Sequence, residues 1–123
     1  MNTPAQTDPQ FDIDFLDDLY RELLSQPGTF LASIRMLRWD RDAFQRLTGL
    51  MHSACRLYSH RELLDRWLVE GFDFMAEFVP EWTTHAKFPR PGEISYYESA
   101  YQELRLLKKW LFSGHKPAEF RDR

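Results

Sequence analysis

Five apolar residues, Phe44, Leu47, Met51, Ala54 and Tyr58, recur at spacings that alternate between three and four. Only a helix carries such a set on one side, and a side that apolar must be packed against something. The same rhythm runs through Phe11, Phe15, Leu16, Leu19, Tyr20, Leu23 and Leu24. It returns in Leu63, Leu64, Trp67, Leu68, Phe72, Met75, Phe78 and Val79, and again in Tyr97, Ala100, Tyr101, Leu104, Leu107 and Leu111. No alternating run is long enough to make a strand, and no internal repeat or long heptad array occurs. The chain is therefore expected to be all-α, a compact bundle of four to five helices, antiparallel where the connections are short.

Punctuation between these segments sets the expected boundaries. Asp8 and Pro9 suit an N-cap and a first helical residue, and Pro27-Gly28 stops the helix they open. Thr29 is placed to cap a short second helix with Phe30, Leu31, Ile34 and Leu37 on one face. Asp40 restarts the pattern, as a third helix or as the continuation of one bent helix. Gly49 inside that segment weakens the helix and would admit a close neighbour. Ser59-His60-Arg61-Glu62 and Ser95-Tyr96-Tyr97-Glu98 both match the S-x-x-E capping box and predict the starts of the last two helices. Pro80 predicts the end of the first of these, and Ser113-Gly114 the end of the second. At 123 residues the chain is one domain long. The division expected is a disordered tail over 1–7, a single helical domain over 8–114 and a loose tail over 115–123.

The segment FVPEWTTHAKFPRPGEISYYES, Phe78 to Ser99, holds a connection of about fifteen residues, from Pro80 to Ile94. Connections that long are usually functional or packed as ordered loops. Three prolines stiffen it, and Trp82, Phe88 and Ile94 are costly to leave in water. Trp82 and Phe88 are expected to plug the end of the bundle while Pro-Arg-Pro-Gly turns the chain. A second role is compatible with the first. Trp82, His85, Arg90, Tyr96 and Tyr97 are candidate partner-binding residues, because Trp, Tyr and Arg dominate interface hot spots and a rigid loop loses little entropy on binding.

Charge narrows the function classes. The net charge of −3 is distributed as −5 over residues 1–27, +3 over 28–66, −4 over 67–98 and +3 over 99–123. Alternating blocks of this kind suit acidic and basic helix faces set side by side. They lack the concentrated basic excess that nucleic-acid binding requires. The stretch Arg35 to Arg41, with Trp39 as a stacking surface, is the place for a nucleic-acid adaptor, but Asp40 and Asp42 interleave its arginines. No apolar run approaches the roughly 20 residues that cross a bilayer. The N-terminus lacks the pattern of a secretory signal and Cys55 is the only cysteine, so a reducing cytoplasm is expected.

Catalytic signatures are sparse. His52-x-x-Cys55 puts two ligating residues on one helical face, but no CxxC, HExxH or second spaced pair joins them, so no metal is expected. Mid-helix, Cys55 reads as a small buried hydrophobe more than as a nucleophile. The carboxylates Asp14, Asp17 and Asp18, and Glu70, Asp73 and Glu77, form acidic helix faces with no pair singled out. Phosphate-binding glycine motifs are missing and no cofactor is implied. The expectation is a non-enzymatic cytoplasmic protein-binding domain, of the kind that bacterial immunity or inhibitor proteins represent, masking a basic protein partner. The alternatives are a small helical, hydrolase-like enzyme using carboxylates or His85, and a nucleic-acid adaptor using the Arg35 to Arg41 region.

Overall fold

The computed structural model describes residues 9–121. Five α-helices, α1 (Pro9–Leu23), α2 (Phe30–Arg35), α3 (Arg41–Tyr58), α4 (Arg66–Thr83) and α5 (Ile94–Ser113), precede a short 3-10 turn at Ala118–Phe120. No strand occurs among the described residues, and the all-α expectation holds. The tail over 1–7 and the Asp8 cap lie outside the described residues.

Side-chain pairings give the topology. Arg41 lies on Tyr96, His52 on Glu103 and Cys55 under Leu107, so α3 and α5 run parallel. Asp73 meets Lys108 and Thr83 meets Tyr101, so α4 and α5 run antiparallel. Tyr20 meets Trp67, and Leu23 covers Gly71, which sets α1 parallel to α4. Each helix thus reverses the direction of the long helix before it, yet α3 and α4 lie diagonally opposite. α5 is the shared neighbour that packs on both. Leu19, Ile34, Leu47, Phe72, Met75 and Leu104 are fully buried between these helices, which puts the apolar three-and-four seams in one core.

Charge pairs join the blocks that alternate in sign. Glu22 of α1 is buried and accepts a hydrogen bond from Arg46 Nε of α3 at 3.2 Å, while Arg46 Nη2 donates to the Gly28 carbonyl at 2.8 Å. Lys108 of α5 reaches Asp73 at 2.6 Å and Glu77 at 3.9 Å on α4. The acidic first block thus meets the basic second, and the acidic third meets the basic fourth.

Two caps act as expected. Thr29 Oγ1 accepts from the Ala32 amide at 3.3 Å, and Asp40 Oδ1 accepts from the Ala43 amide at 3.0 Å. Between them the chain breaks at Met36 to Asp40, so α2 and α3 are separate helices. Leu37 leaves the core face it was assigned: it takes a φ of 62° and is exposed. Gly49 faces open space, with no helix close to it.

Three boundaries differ from the sequence reading. The Ser59 hydroxyl donates back to the Cys55 carbonyl at 2.7 Å, closing α3 instead of opening α4. α4 therefore begins only at Arg66, and Leu63 stands 86% exposed. Helix α4 also runs through Pro80 to Thr83. Pro80 sits one turn from the end, where its missing N–H removes a single bond, and its carbonyl accepts from both the amide and the hydroxyl of Thr84, at 3.0 and 2.7 Å. At α5 the helix starts at Ile94, with Glu93 at the cap position and Ser95 already inside.

The end of the chain corrects another expectation. Gly114 closes α5 in the left-handed conformation, φ 78°, with its amide on the Trp110 carbonyl at 2.8 Å, as the Ser113-Gly114 stop predicts. Residues 115–121, part of the segment read as a loose tail, fold back instead. Pro117 and Phe120 are buried, and the Phe120 ring packs 4.7 Å from His52 and 6.0 Å from Trp110.

Candidate functional site

The five candidate partner-binding residues do not form one platform. Tyr97 is 1% exposed, its hydroxyl donates to the Pro91 carbonyl, and its ring meets Trp39 edge-on. Tyr96 is half-buried, accepts from Trp39 Nε1 at 3.1 Å, and carries the Arg41 guanidinium 3.8 Å above its ring. Arg90 donates to the Tyr101 hydroxyl at 3.4 Å and lies near the Tyr97 ring. These three residues build the corner, together with the buried Phe88. His85 is exposed, and its Nδ1 accepts from the Lys87 amide at 3.2 Å, a contact within the turn. Only Trp82 joins a larger exposed aromatic surface.

That surface is the outer side of α4. Phe74 and Phe78 stack with centroids 4.8 Å apart and planes within 13°, and Phe78 stacks on Trp82 at 5.5 Å and 21°. The three are spaced by four residues, so they climb one side of the helix. Phe74 is 38% exposed and Trp82 37%. Trp82 is held there by its indole N–H, which donates to the Ile34 carbonyl at 2.7 Å, and the Arg35 guanidinium lies 5.7 Å from the Phe78 centroid. After Arg35, Met36 is 80% exposed at the end of α2. Beside the rings runs an acidic row, Glu70, Asp73, Glu77 and Glu81, all exposed. Phe78, expected on the core face, is partly buried against the core and bridges to the surface, whereas Phe74 was not among the apolar positions expected for this helix. The legible signal was an aromatic lying off the side defined by Phe72, Met75 and Val79.

The places reserved for chemistry are otherwise occupied. Trp39 is buried among Phe30, Phe44 and Tyr97, so it offers no base-stacking surface, and Arg38 pairs with Asp40 at 3.8 Å. Among the described residues no group of three or more His, Cys, Asp or Glu is arranged to hold a metal ion. A groove of about 1030 Å³ runs along α3 and α5, with Arg41, His52, Arg56 and Glu103 on its walls. At its base His52 Nε2 lies 3.1 Å from Glu103 Oε2.

Cys55 is fully enclosed, and burial pushes its thiol up to about 12. At pH 8 such a thiol is ionised in about one molecule in 10,000, against about one in ten at the ordinary 9.0. A disulfide reagent at pH 8 is therefore expected to label the folded protein at least about 100-fold more slowly than the denatured one. Equal rates would place Cys55 at the surface. Burial, and then the hydrogen bond to Asp65, raise Tyr58 from 10.0 to about 12 as well. Both groups hold their protons more tightly when folded. The stability they contribute is complete below pH 9 and is lost as pH rises toward 12.

Comparison of the chain with known protein families, with characterised proteins and with solved structures finds no match.

Proposed function

We propose that this chain is a non-enzymatic protein-binding domain that masks a basic protein partner, in the manner of an immunity or inhibitor protein. The observation that carries the reading is the stack of Phe74, Phe78 and Trp82, in which exposed Phe74 and Trp82 flank the partly buried Phe78. Exposed aromatic area is unfavourable in water and is recovered when a partner covers it. The row is also held in place before binding, by the Trp82 bond to α2 and by stacking, so little entropy remains to be lost. The acidic row next to it favours a partner with Lys or Arg at the rim, through steering and specificity more than raw affinity.

The test is a photo-cross-linking residue at Met36, which is exposed and directly follows Arg35, the residue that lies on Phe78. A basic protein is expected to be captured. Purified, it should form a one-to-one complex that blocks its own activity, and Phe74→Ser should weaken that complex by about 100-fold. Phe74 is exposed and lies outside the buried core, so the variant should melt within a few degrees of the parent. Failure to capture a protein, or a complex indifferent to Phe74→Ser, removes the reading.

A further inference from the structure

The three stacked rings of α4 make a short column whose two ends differ in charge. Phe78 is the middle member. It is partly buried against the core, Phe74 and Trp82 stack on it, and the Arg35 guanidinium stands 5.7 Å from its centroid. The outer rings are therefore the ones left to meet a partner. Trp82 is tied to α2 by its bond to the Ile34 carbonyl, and the next residue of α2, Arg35, already sets a positive charge against that side of the column. Phe74 is 38% exposed and lies outside the buried core. Because residues four apart stack along the helix, the face of Phe74 that Phe78 leaves uncovered is turned back toward the preceding turn of α4. That turn carries Gly71 and Glu70. The Leu23 methyls fill the Gly71 side, whereas Glu70, four residues before Phe74, is exposed. Glu77, three residues after Phe74, is exposed as well. Neither carboxylate is closely paired: Glu70 makes no ion pair among the described residues, and Glu77 has only a 3.9 Å contact with Lys108, which Asp73 holds at 2.6 Å.

We infer that Phe74, with Glu70 and Glu77 beside it, receives an arginine side chain of the partner in preference to a lysine. This rests on the masking function proposed above and names the group by which the basic partner is recognised. The choice follows from the chemistry of the site. A ring face flanked by carboxylates suits a group that is planar, cationic and weakly hydrated, able to stack on the ring while its N–H groups reach the carboxylates. Guanidinium has that form. The ammonium of lysine is a compact and strongly hydrated charge that gains less from the ring. A purely apolar side chain would cover the ring but take water from Glu70 and Glu77 without replacing it. The fold makes the same pairing for itself, since the Arg41 guanidinium lies 3.8 Å from the Tyr96 centroid. Charge also selects the end of the column, because Arg35 repels a second guanidinium on the Trp82 side. A second copy meeting this face with its own would set carboxylate against carboxylate.

The probes are N-acetyl-arginine amide and N-acetyl-lysine amide, which carry the same charge and differ in the shape of the cationic group. Each is titrated at low salt into isotopically labelled protein and followed by NMR. The arginine probe is expected to bind about threefold or more tighter than the lysine probe, with shifts centred on Glu70, Phe74 and Glu77. Phe74→Leu keeps an apolar side chain but removes the ring, and should bring the arginine probe down to the lysine level. Glu70→Gln combined with Glu77→Gln should weaken both probes together. All three residues are exposed, so these variants should melt within a few degrees of the parent. Equal affinity of the two probes, a preference for arginine that survives Phe74→Leu, or shifts centred on the α3/α5 groove overturns the inference. So does the absence of any shift at about 100 mM probe. A dimer that Phe74→Leu dissociates overturns it in favour of a second copy. With the cross-linked partner in hand, changing its arginines one at a time to lysine should identify one whose loss weakens the complex, and Phe74→Leu should cancel that effect. A masking complex indifferent to every such change overturns this inference alone, whereas absence of any cross-linked partner removes the masking function and this inference with it.

Discussion

Trp39→Ala is expected to lower the melting temperature by roughly 15 °C, while Trp82→Ala lowers it by about 5 °C. Trp39 sits in the short link between α2 and α3, yet its ring is the meeting point of three helices. It contacts Phe30 of α2 at 4.9 Å, Phe44 of α3 at 5.2 Å, and Tyr97 and Tyr101 of α5 at 5.1 and 6.2 Å. Removing it leaves a cavity no single neighbour can fill and orphans the Tyr96 hydroxyl of its donor. Truncations of this kind cost about 3–5 kcal/mol. In a domain of this size each kcal/mol moves the midpoint by roughly 4 °C. Trp82 is more than a third exposed and loses mainly its bond to the Ile34 carbonyl, about 1 kcal/mol. Thermal and urea unfolding of both variants and of Trp39→Phe check this. Trp39→Phe keeps most of the packing and should fall between them. A Trp39→Ala midpoint no lower than that of Trp82→Ala would mean that the two tryptophans have been assigned the wrong roles.

The contrast between these tryptophans marks what the sequence makes legible. Apolar period is a property of one helix, so the seams through Phe44 to Tyr58 and Tyr97 to Leu111 could be read without knowing the neighbours. The caps at Thr29 and Asp40 were readable for the same reason, since each bond closes within three residues. Charge blocks also carried over, through Glu22 with Arg46 and Lys108 with Asp73. The motifs that failed are those with a competing partner. Ser59 has the sequence of a cap, but its hydroxyl finds the free Cys55 carbonyl one turn back. Asp65, which takes the cap position of α4, uses its carboxylate to accept from the Tyr58 hydroxyl at 2.6 Å.

The candidate site was legible in only one of its residues, Trp82, and the reason is topological. Whether an aromatic is core or surface depends on which side of its helix has a neighbour. α4 packs along α5, while α1 meets it at Trp67 and Gly71 and α2 at Phe78 and Trp82, which leaves Phe74 exposed. Tyr96 and Tyr97 face inward because Trp39, 57 residues before Tyr96, reaches between them and α2. Local periodicity holds no record of such a long-range partner. Trp39 is buried, in keeping with a structural role for the Arg35 to Arg41 stretch over the nucleic-acid alternative.

The second large effect concerns Phe120, in a segment whose polar composition reads as a loose end. Its ring is 2% exposed and closes the base of the α3/α5 pair over His52 and Trp110. Phe120→Ala should lose about 3 kcal/mol, the low end for a buried phenylalanine, because the short 3-10 turn that carries it can relax around the gap. That corresponds to a fall of about 12 °C. The loss should have a local signature as well. Among the described residues the buried Trp110 indole N–H has no hydrogen-bond partner, so opening the lid admits water to it. Its exchange with solvent should accelerate well before global unfolding, and tryptophan emission should shift to the red. Phe120→Leu keeps most of the apolar volume and should recover most of the stability and the protection. If instead Phe120→Ala melts within 2 °C of the parent and Trp110 exchange is unchanged, residues 115–121 contribute no packing and α5 ends the fold at Gly114.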